Sequence, residues 1–265
     1  MEVIREAIIL AAGEGSRLKK ISRGMPKFMI NIAGKPLIYY TMSVLDRLGI
    51  TSVKIVVQKK WRNLAEEILD KYATKAKITC IENNHVEKDN GYSFLLAKDF
   101  VNEAVFLLLM SDHIFSTDFI ETFVNLVRMP SENEEETKIF IAGDRTPRFI
   151  NVSEATKIHA DNENRVIRIG KNIEPFNFID TGLFVIKKDI YELLDVDALS
   201  QRDFIKFADI IMDTIDRKYV VKVIDVNSGL WTEIDTPLDY QELLYGKRKV
   251  ILEQIQRQIQ GGGHA

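Results

Sequence analysis

The sequence predicts an α/β fold on a mostly parallel sheet, and three observations carry that expectation. Short apolar runs alternate with helical patterns, the runs at 8–12 and 105–110 are almost unbroken by polar residues, and both end in loops rich in small or charged groups. The first strand covers 6–11, and Leu10-Ala11-Ala12-Gly13 hands it to a loop. Gly34-Lys35-Pro36-Leu37 is a turn opening a helix over 37–48, followed by a strand at 53–57, a helix at 64–71 and a strand at 77–81. Asn90-Gly91-Tyr92-Ser93 opens a helix over 91–100, and the strand at 104–110 runs into Ser111-Asp112-His113. A helix at 117–128 and a strand at 138–142 come next. Residues 149–152 read as a further strand before Lys157, an apolar-polar alternation ends in Asp235-Thr236-Pro237, and one C-terminal helix is expected over about 238–260. Ligands of such sheets bind beyond the carboxyl ends of the strands, where residues 13–17 and 111–113 both fall.

Composition narrows the class. With 265 residues, 46% hydrophobic and 28% charged, the chain can bury a large core, and no Pro/Gly/Ser linker divides it, so one domain over 1–265 is expected. The hydrophilic run 131–138 reads as a surface loop. A net charge of −3 argues against a nucleic-acid surface. Cys80, the single cysteine, has no intrachain partner and reads as a small hydrophobe in a strand. The start carries no leader pattern and no apolar run reaches about 18 residues, so a cytoplasmic chain without a membrane segment is expected.

The loop after the first strand carries most of the chemistry. Leu10, Ala11 and Ala12 are narrow enough beside Gly13 to admit a planar ring, and Gly13 and Gly15 free the backbone to turn its N–H groups toward an anion. A dinucleotide fingerprint would need glycine at Leu18, and a P-loop would need Gly-Lys-Ser/Thr where Gly15-Ser16-Arg17 stands. Arg17 and Lys27 bring two positive charges that suit a triphosphate. A tight turn with two solvated bases is the alternative. Asp112 leaves a buried strand at the same edge of the sheet, as a magnesium ligand or as a helix cap.

Taken together, 10–18, Pro26-Lys27 and Gly34-Lys35-Pro36-Leu37 resemble the signature of nucleotidyltransferases that couple a nucleoside triphosphate to a sugar or polyol phosphate. Residues 231–239, Trp-Thr-Glu-Ile-Asp-Thr-Pro-Leu-Asp, resemble that family's closing motif. Asn90-Gly91-Tyr92-Ser93, Glu154-Ala155-Thr156-Lys157 and Ile179-Asp180-Thr181-Gly182 are similar to the inositol-1-phosphate cytidylyltransferases of archaea and thermophiles. The resemblance implies a single-domain, Rossmann-like, three-layer α/β/α nucleotidyltransferase fold with a mixed, mostly parallel sheet. It implies a nucleotide-binding part over about 1–142 and an acceptor-binding part over about 143–240.

It further implies CTP and inositol-1-phosphate as substrates, CDP-inositol and pyrophosphate as products, and Mg²⁺ on Asp112 and Asp235. Glu233 is the fallback ligand. Catalysis would rest on Arg17, Lys27, Asp112 and Asp235. The nucleotide would be held by Leu10, Ala11, Ala12, Gly13, Gly15, Ser16, Arg17 and Lys27, with Asn83, Asn90, Gly91 and Ser93 at the nucleoside. Asn-Gly pairs are also ordinary turns. Lys157 and Lys171 would meet the acceptor phosphate, and Asp180, Thr181 and Gly182 its hydroxyls. His85 and His113 read as polar loop groups.

Where bifunctional relatives continue into a membrane domain this chain has a helix, which could cover the sheet or support a homodimer. Only the activation step is then expected here, with a separate membrane enzyme consuming the product. The glycine-rich end, 261–265, reads as a flexible tail or as a non-native cloning remnant. Ser111 and Glu233 stand where relatives often have glycine and aspartate, which keeps open a sugar-1-phosphate or phosphocholine nucleotidyltransferase, and a non-catalytic nucleotide sensor.

Overall fold

The computed structural model describes residues 3–72, 75–129, 136–227 and 229–261. β1 (Glu6–Leu10) is buried throughout and opens into the glycine loop. A short helix α1 (Lys19–Ser22) and the hairpin β2 (Asn31–Ile32) and β3 (Lys35–Pro36) lead to α2 (Leu37–Arg47). β4 (Ser52–Gln58), α3 (Arg62–Lys71), β5 (Lys77–Asn83), α4 (Asp89–Leu96) and β6 (Val105–Met110) continue the alternation. β7 (His113–Phe115) and α5 (Thr117–Arg128) precede β8 (Thr137–Asp144), β9 (Lys157–Ala160), β10 (Val166–Gly170) and the long β11 (Phe178–Lys187). The chain ends through α6 (Ile190–Leu193), α7 (Val196–Ser200), α8 (Phe207–Asp216), β12 (Val220–Asp225), β13 (Trp231–Glu233), α9 (Pro237–Tyr245) and α10 (Lys249–Gly261).

The fold is the mixed, Rossmann-like α/β/α arrangement expected. Among the described residues nine strands form the main sheet in the order β10-β9-β11-β6-β1-β4-β5, with β8 beside β11 and β12 beside β8. β6, β1, β4 and β5 run parallel, as do β8 and β12, while β11 is antiparallel to its neighbours. Strand alternation sends Ile9, Ile55, Leu107 and Leu109 to one face, against α2 and α5, and Ile8, Val56, Phe106 and Leu108 to the other, against α4 and α8. A third cluster packs α9 and α10 on Leu18, Ile32, Leu37, Tyr40 and Ile114, behind the glycine loop.

At the far end of β1, buried Glu6 pairs with buried Lys54 and accepts the Asn102 and Glu103 N–H groups at 2.8 and 3.1 Å. The carboxylate thereby ties β4 and the entry to β6 onto β1.

Three sequence expectations are corrected. The C-terminal helix is two helices, because Arg248 turns inward at the break: its guanidinium meets Asp239 at 2.7 Å and Thr232 Oγ1 at 3.0 Å, which a straight helix would leave behind. Residues 149–152 form no strand, and the Phe149 carbonyl instead accepts the Thr232 hydroxyl at 2.7 Å. The helix expected at 91–100 begins at Asp89 and gives way to a tight turn at Lys98–Phe100. Most of the run 131–138 and the glycine end beyond 261 lie outside the described residues. Cys80 is buried in β5. Among the described residues no helix is long and apolar enough to cross a membrane.

Candidate active site

The loop after β1 is pinned from beneath. The Ala11 N–H donates to the Val56 carbonyl at 2.8 Å, and the buried Gln58 amide donates to the Ala12 carbonyl at 2.8 Å. Gly15 adopts φ +60, and a Cβ there would stand 3.1 Å from the Lys27 Cβ. That close approach lays the loop directly against Lys27.

Two carboxylates far apart in sequence are brought together by a short ladder. β7 pairs antiparallel with β13, placing His113 opposite Glu233, and the Ile234 N–H donates to the Asp112 carbonyl at 2.9 Å. Asp112 and Asp235 therefore flank one point beyond the end of β6. Lys27 Nζ occupies it, 2.6 Å from Asp112 Oδ2 and also hydrogen-bonded to Asp235 Oδ1. Arg17 bridges Asp235, at 2.8 Å, and Glu154, at 3.0 Å. Behind Asp235, Thr236 caps α9 reciprocally with Asp239, whose carboxylate also accepts the Asp235 N–H at 3.1 Å.

Burial on its own disfavours the charged forms of Asp112 and Lys27. It is overridden at Asp112, whose carboxyl is held well below its usual value by Lys27 and His113. Burial likewise opposes the Lys27 charge, yet Asp112 and Asp235 raise its pKa. An ammonium drawn between two carboxylates marks a seat for a cation. Among the described residues no three His, Cys, Asp or Glu side chains form a ready metal cage. Two carboxylates nevertheless suit Mg²⁺, which takes one or two protein acids and completes its shell from phosphates and water.

His113 corrects the reading of it as a polar loop group. It is buried in β7, its Nδ1 lies 2.7 Å from Asp112 Oδ1, and its ring is parallel to Trp231 at 6.0 Å between centroids. Burial disfavours the imidazolium, but Asp112, Glu233 and Asp180 together raise its pKa. A buried strand whose apolar text is interrupted by adjacent Asp and His was the available signal.

Glu233 lies 3.8 Å from the same ring, and burial, helped by Asp235 and Asp112, raises its pKa against the opposing pull of His113. His85, by contrast, is an exposed loop residue.

A cleft of 320 Å³ opens beside this cluster. Leu10, Ala12, Gly13, Gly15, Ser16, Arg17, Lys27, Asn83, Asn90, Ser93, Asp112 and Asp235, all expected in the site, line it. Ala11 and Gly91 do not. Ala11 is turned into the core, and Gly91 is buried against the residue 205 backbone.

Asn83 lines the cleft with its amide engaged, donating to Ser93 Oγ at 2.9 Å and accepting the His85 N–H at 2.7 Å. Asn90 Oδ1 accepts the Phe207 N–H at 2.8 Å. Both asparagines thus shape the cleft with oxygens already in use. Glu87 and Phe204, which the sequence did not single out, also line it.

The expected acceptor residues lie apart from that cleft lining. Lys157 opens β9, 3.8 Å from Glu174 and over the Phe176 ring. Lys171 is exposed just beyond Gly170, the pairing partner of Lys157. Asp180 accepts the Gly182 N–H at 2.8 Å, and burial pushes its carboxyl up to about 6.

Thr181 is a correction: its hydroxyl is fully buried and donates to the Ala142 carbonyl at 2.8 Å, which leaves it no contact with an acceptor. Gly182 sits at φ +73 in a register shift of β11, and a Cβ there would meet the His113 ring at 2.9 Å. Its lack of a side chain makes room for that imidazole, where an approach by the acceptor was expected.

A glycine loop, two convergent carboxylates and a lysine between them, at the carboxyl edge of an α/β sheet, form an arrangement that suits transfer chemistry on a phosphorylated substrate. The comparisons with known proteins make the class specific. The chain belongs to the nucleotidyl transferase family, whose pattern matches residues 6–247. "Bifunctional IPC transferase and DIPP synthase" of Aquifex aeolicus (strain VF5) is 34% identical over 240 residues, covering 91% of this chain and 51% of that protein. The protein of the same description from Thermococcus kodakarensis is 32% identical over 249 residues, covering 94% of this chain and 51% of its own length. The chain thus spans about half the length of these relatives. Among solved structures, the inositol-1-phosphate CTP transferase from T. maritima superposes with a TM-score of 0.83 at 30% identity, covering 96% of this chain and 97% of that one.

Proposed function

We propose that the protein transfers the cytidylyl group of CTP to inositol-1-phosphate, giving CDP-inositol and pyrophosphate. The observation that carries this reading is the meeting of Lys27 with Asp112 and Asp235 beside a nucleotide-sized cleft. The cytosine and inositol assignments lean on the likeness to the T. maritima enzyme.

The acceptor's phosphate oxygen attacks the α-phosphorus in line. One P–O bond forms there as the bond to the β-phosphate oxygen breaks, and pyrophosphate leaves with that electron pair. A phosphate monoester is already anionic near neutral pH, so the work of the protein is to align two anions and offset their repulsion. Asp112 and Asp235 would hold Mg²⁺, which when bound supplies charge neutralisation for phosphate oxygens. Lys27 turns from its carboxylate partners toward the triphosphate, and Arg17, already at the mouth of the glycine loop, steadies the departing pyrophosphate. Lys157 and Lys171 orient the acceptor phosphate, and Asp180 receives polyol hydroxyls.

The test is pyrophosphate release with Mg²⁺ across the four nucleoside triphosphates and a panel of inositol-1-phosphate, glucose-1-phosphate, mannose-1-phosphate and phosphocholine. Release confined to CTP with inositol-1-phosphate is expected. Release with a different pair would overturn the base or acceptor assignment, and none with any pair would overturn the activity.

A further inference from the structure

The connection between α7 and α8, residues 201–206, carries Phe204 to the rim of the nucleotide-sized cleft, where it remains 53% exposed. Among the described residues the ring belongs to none of the apolar clusters, so core packing makes no use of it. The segment that presents it is nevertheless fastened down. The Ile205 N–H donates to the Lys88 carbonyl at 2.9 Å, the Gly91 N–H to the Ile205 carbonyl at 3.0 Å, and the Lys88 ammonium to the Ser200 carbonyl at 2.8 Å. Asn90 Oδ1 takes the Phe207 N–H. A Cβ on Gly91 would stand 2.6 Å from the carbonyl oxygens of Ile205 and Lys206, so only glycine permits this contact. The Asn90-Gly91 pair therefore acts as a dock for the 201–206 strap, and the strap sets an aromatic ring at the edge of the cleft. Lys206 Nζ stands 5.3 Å from the ring centroid, over one face.

We propose that Phe204 stacks on the nucleobase of the bound nucleoside triphosphate. The inference rests on the reading of this cleft as the nucleotide site. A neutral ring offers little to a triphosphate, whose candidate ligands Arg17 and Lys27 gather with Asp235. The acceptor candidates Lys157, Lys171 and Asp180 are not among the residues that line the cleft. The base is the flat, weakly polar part of the substrate, and it gains from an aromatic face. With the carboxamide oxygens of Asn83 and Asn90 already engaged, planar contact supplies affinity the polar floor does not. Every base has a π face, so Phe204 contributes grip and alignment more than a choice between cytosine and uracil.

Calorimetric titration in Mg²⁺ with two probes, CTP and inorganic tripolyphosphate, tests the proposal on wild type, Phe204→Ala and Phe204→Tyr. Phe204→Ala should weaken CTP binding by about 5- to 150-fold, the range typical of losing one base–aromatic stack, and leave tripolyphosphate binding unchanged. Phe204→Tyr should restore CTP binding. An unaltered melting temperature is expected of so exposed a side chain. Equal CTP affinity in wild type and Phe204→Ala, or an equal loss for both probes, would overturn the stacking role and leave the proposed activity standing. A wild-type protein that binds neither probe would overturn both.

Discussion

Asp112, Asp235 and Lys27 form a triangle in which one ammonium meets both carboxylates. Asp112→Asn or Asp235→Asn removes one side of the cation seat, and either should lower kcat by about 10²-fold or more, the scale of losing a preorganised charge at a reacting phosphate. Lys27→Ala should lose activity on the same scale and should also leave the two half-buried carboxylates without the ammonium between them, Asp235 keeping Arg17 and Asp112 keeping His113. Steady-state pyrophosphate release checks all three. Near-wild-type turnover in both Asn variants would remove these carboxylates from the mechanism. His113 sits behind Asp112 as a fixed hydrogen-bond partner, held between Trp231 and the space that Gly182 leaves open.

The elements that place these groups were legible where local pattern and burial agree. β1, β6 and β8 are apolar runs with turn signals at their ends, and α5 matches its expected span because amphipathic spacing and a serine before it mark both face and start. In the C-terminal segment Gly246, the C-cap of α9, is the local mark of the break, while the pairing of Arg248 with Asp239 is set by burial in the folded chain and has no local signal. The site divides in the same way. Its proposed phosphate end could be read from Gly13, Gly15, Arg17 and Lys27, which are close in sequence. The work of Gly91, Thr181 and Gly182 is set by residues 205, 142 and 113, contacts that no spacing reveals.

The Glu6–Lys54 pair tests how strands β1, β4 and β6 are joined. Burial raises the Glu6 carboxyl, but Lys54 and two backbone N–H groups outweigh it, so its pKa lies below the ordinary 4.5. Its contribution to stability is therefore present above about 4.5 and lost as pH falls through the lower, folded-state value. Glu6→Gln should cost about 3 kcal/mol near neutral pH, because Lys54 stays buried without its partner. It should also flatten the loss of stability below pH 4.5. Urea unfolding at about pH 7 and about pH 3.5 measures both. An unchanged midpoint at neutral pH would mean that the pair adds nothing to the junction.

At the scale of the whole molecule, one mixed sheet carries two differently built halves. The parallel strands β5, β4, β1 and β6 deliver the glycine loop and Asp112 at their carboxyl ends, while the antiparallel β11 turns Asp180 and the β9–β10 pair toward the same side. The β7–β13 ladder closes the arrangement by returning the distant Asp235 to Asp112. This geometry suits the direct transfer between two anionic substrates proposed above. The most direct test is ³¹P NMR of a reaction with CTP and inositol-1-phosphate whose non-bridging phosphate oxygens carry ¹⁸O. All of the label should appear in CDP-inositol, one atom of it bridging the two phosphorus atoms, with none in pyrophosphate. Label in pyrophosphate, or CTP consumed without CDP-inositol, would contradict attack by the acceptor phosphate on the α-phosphorus.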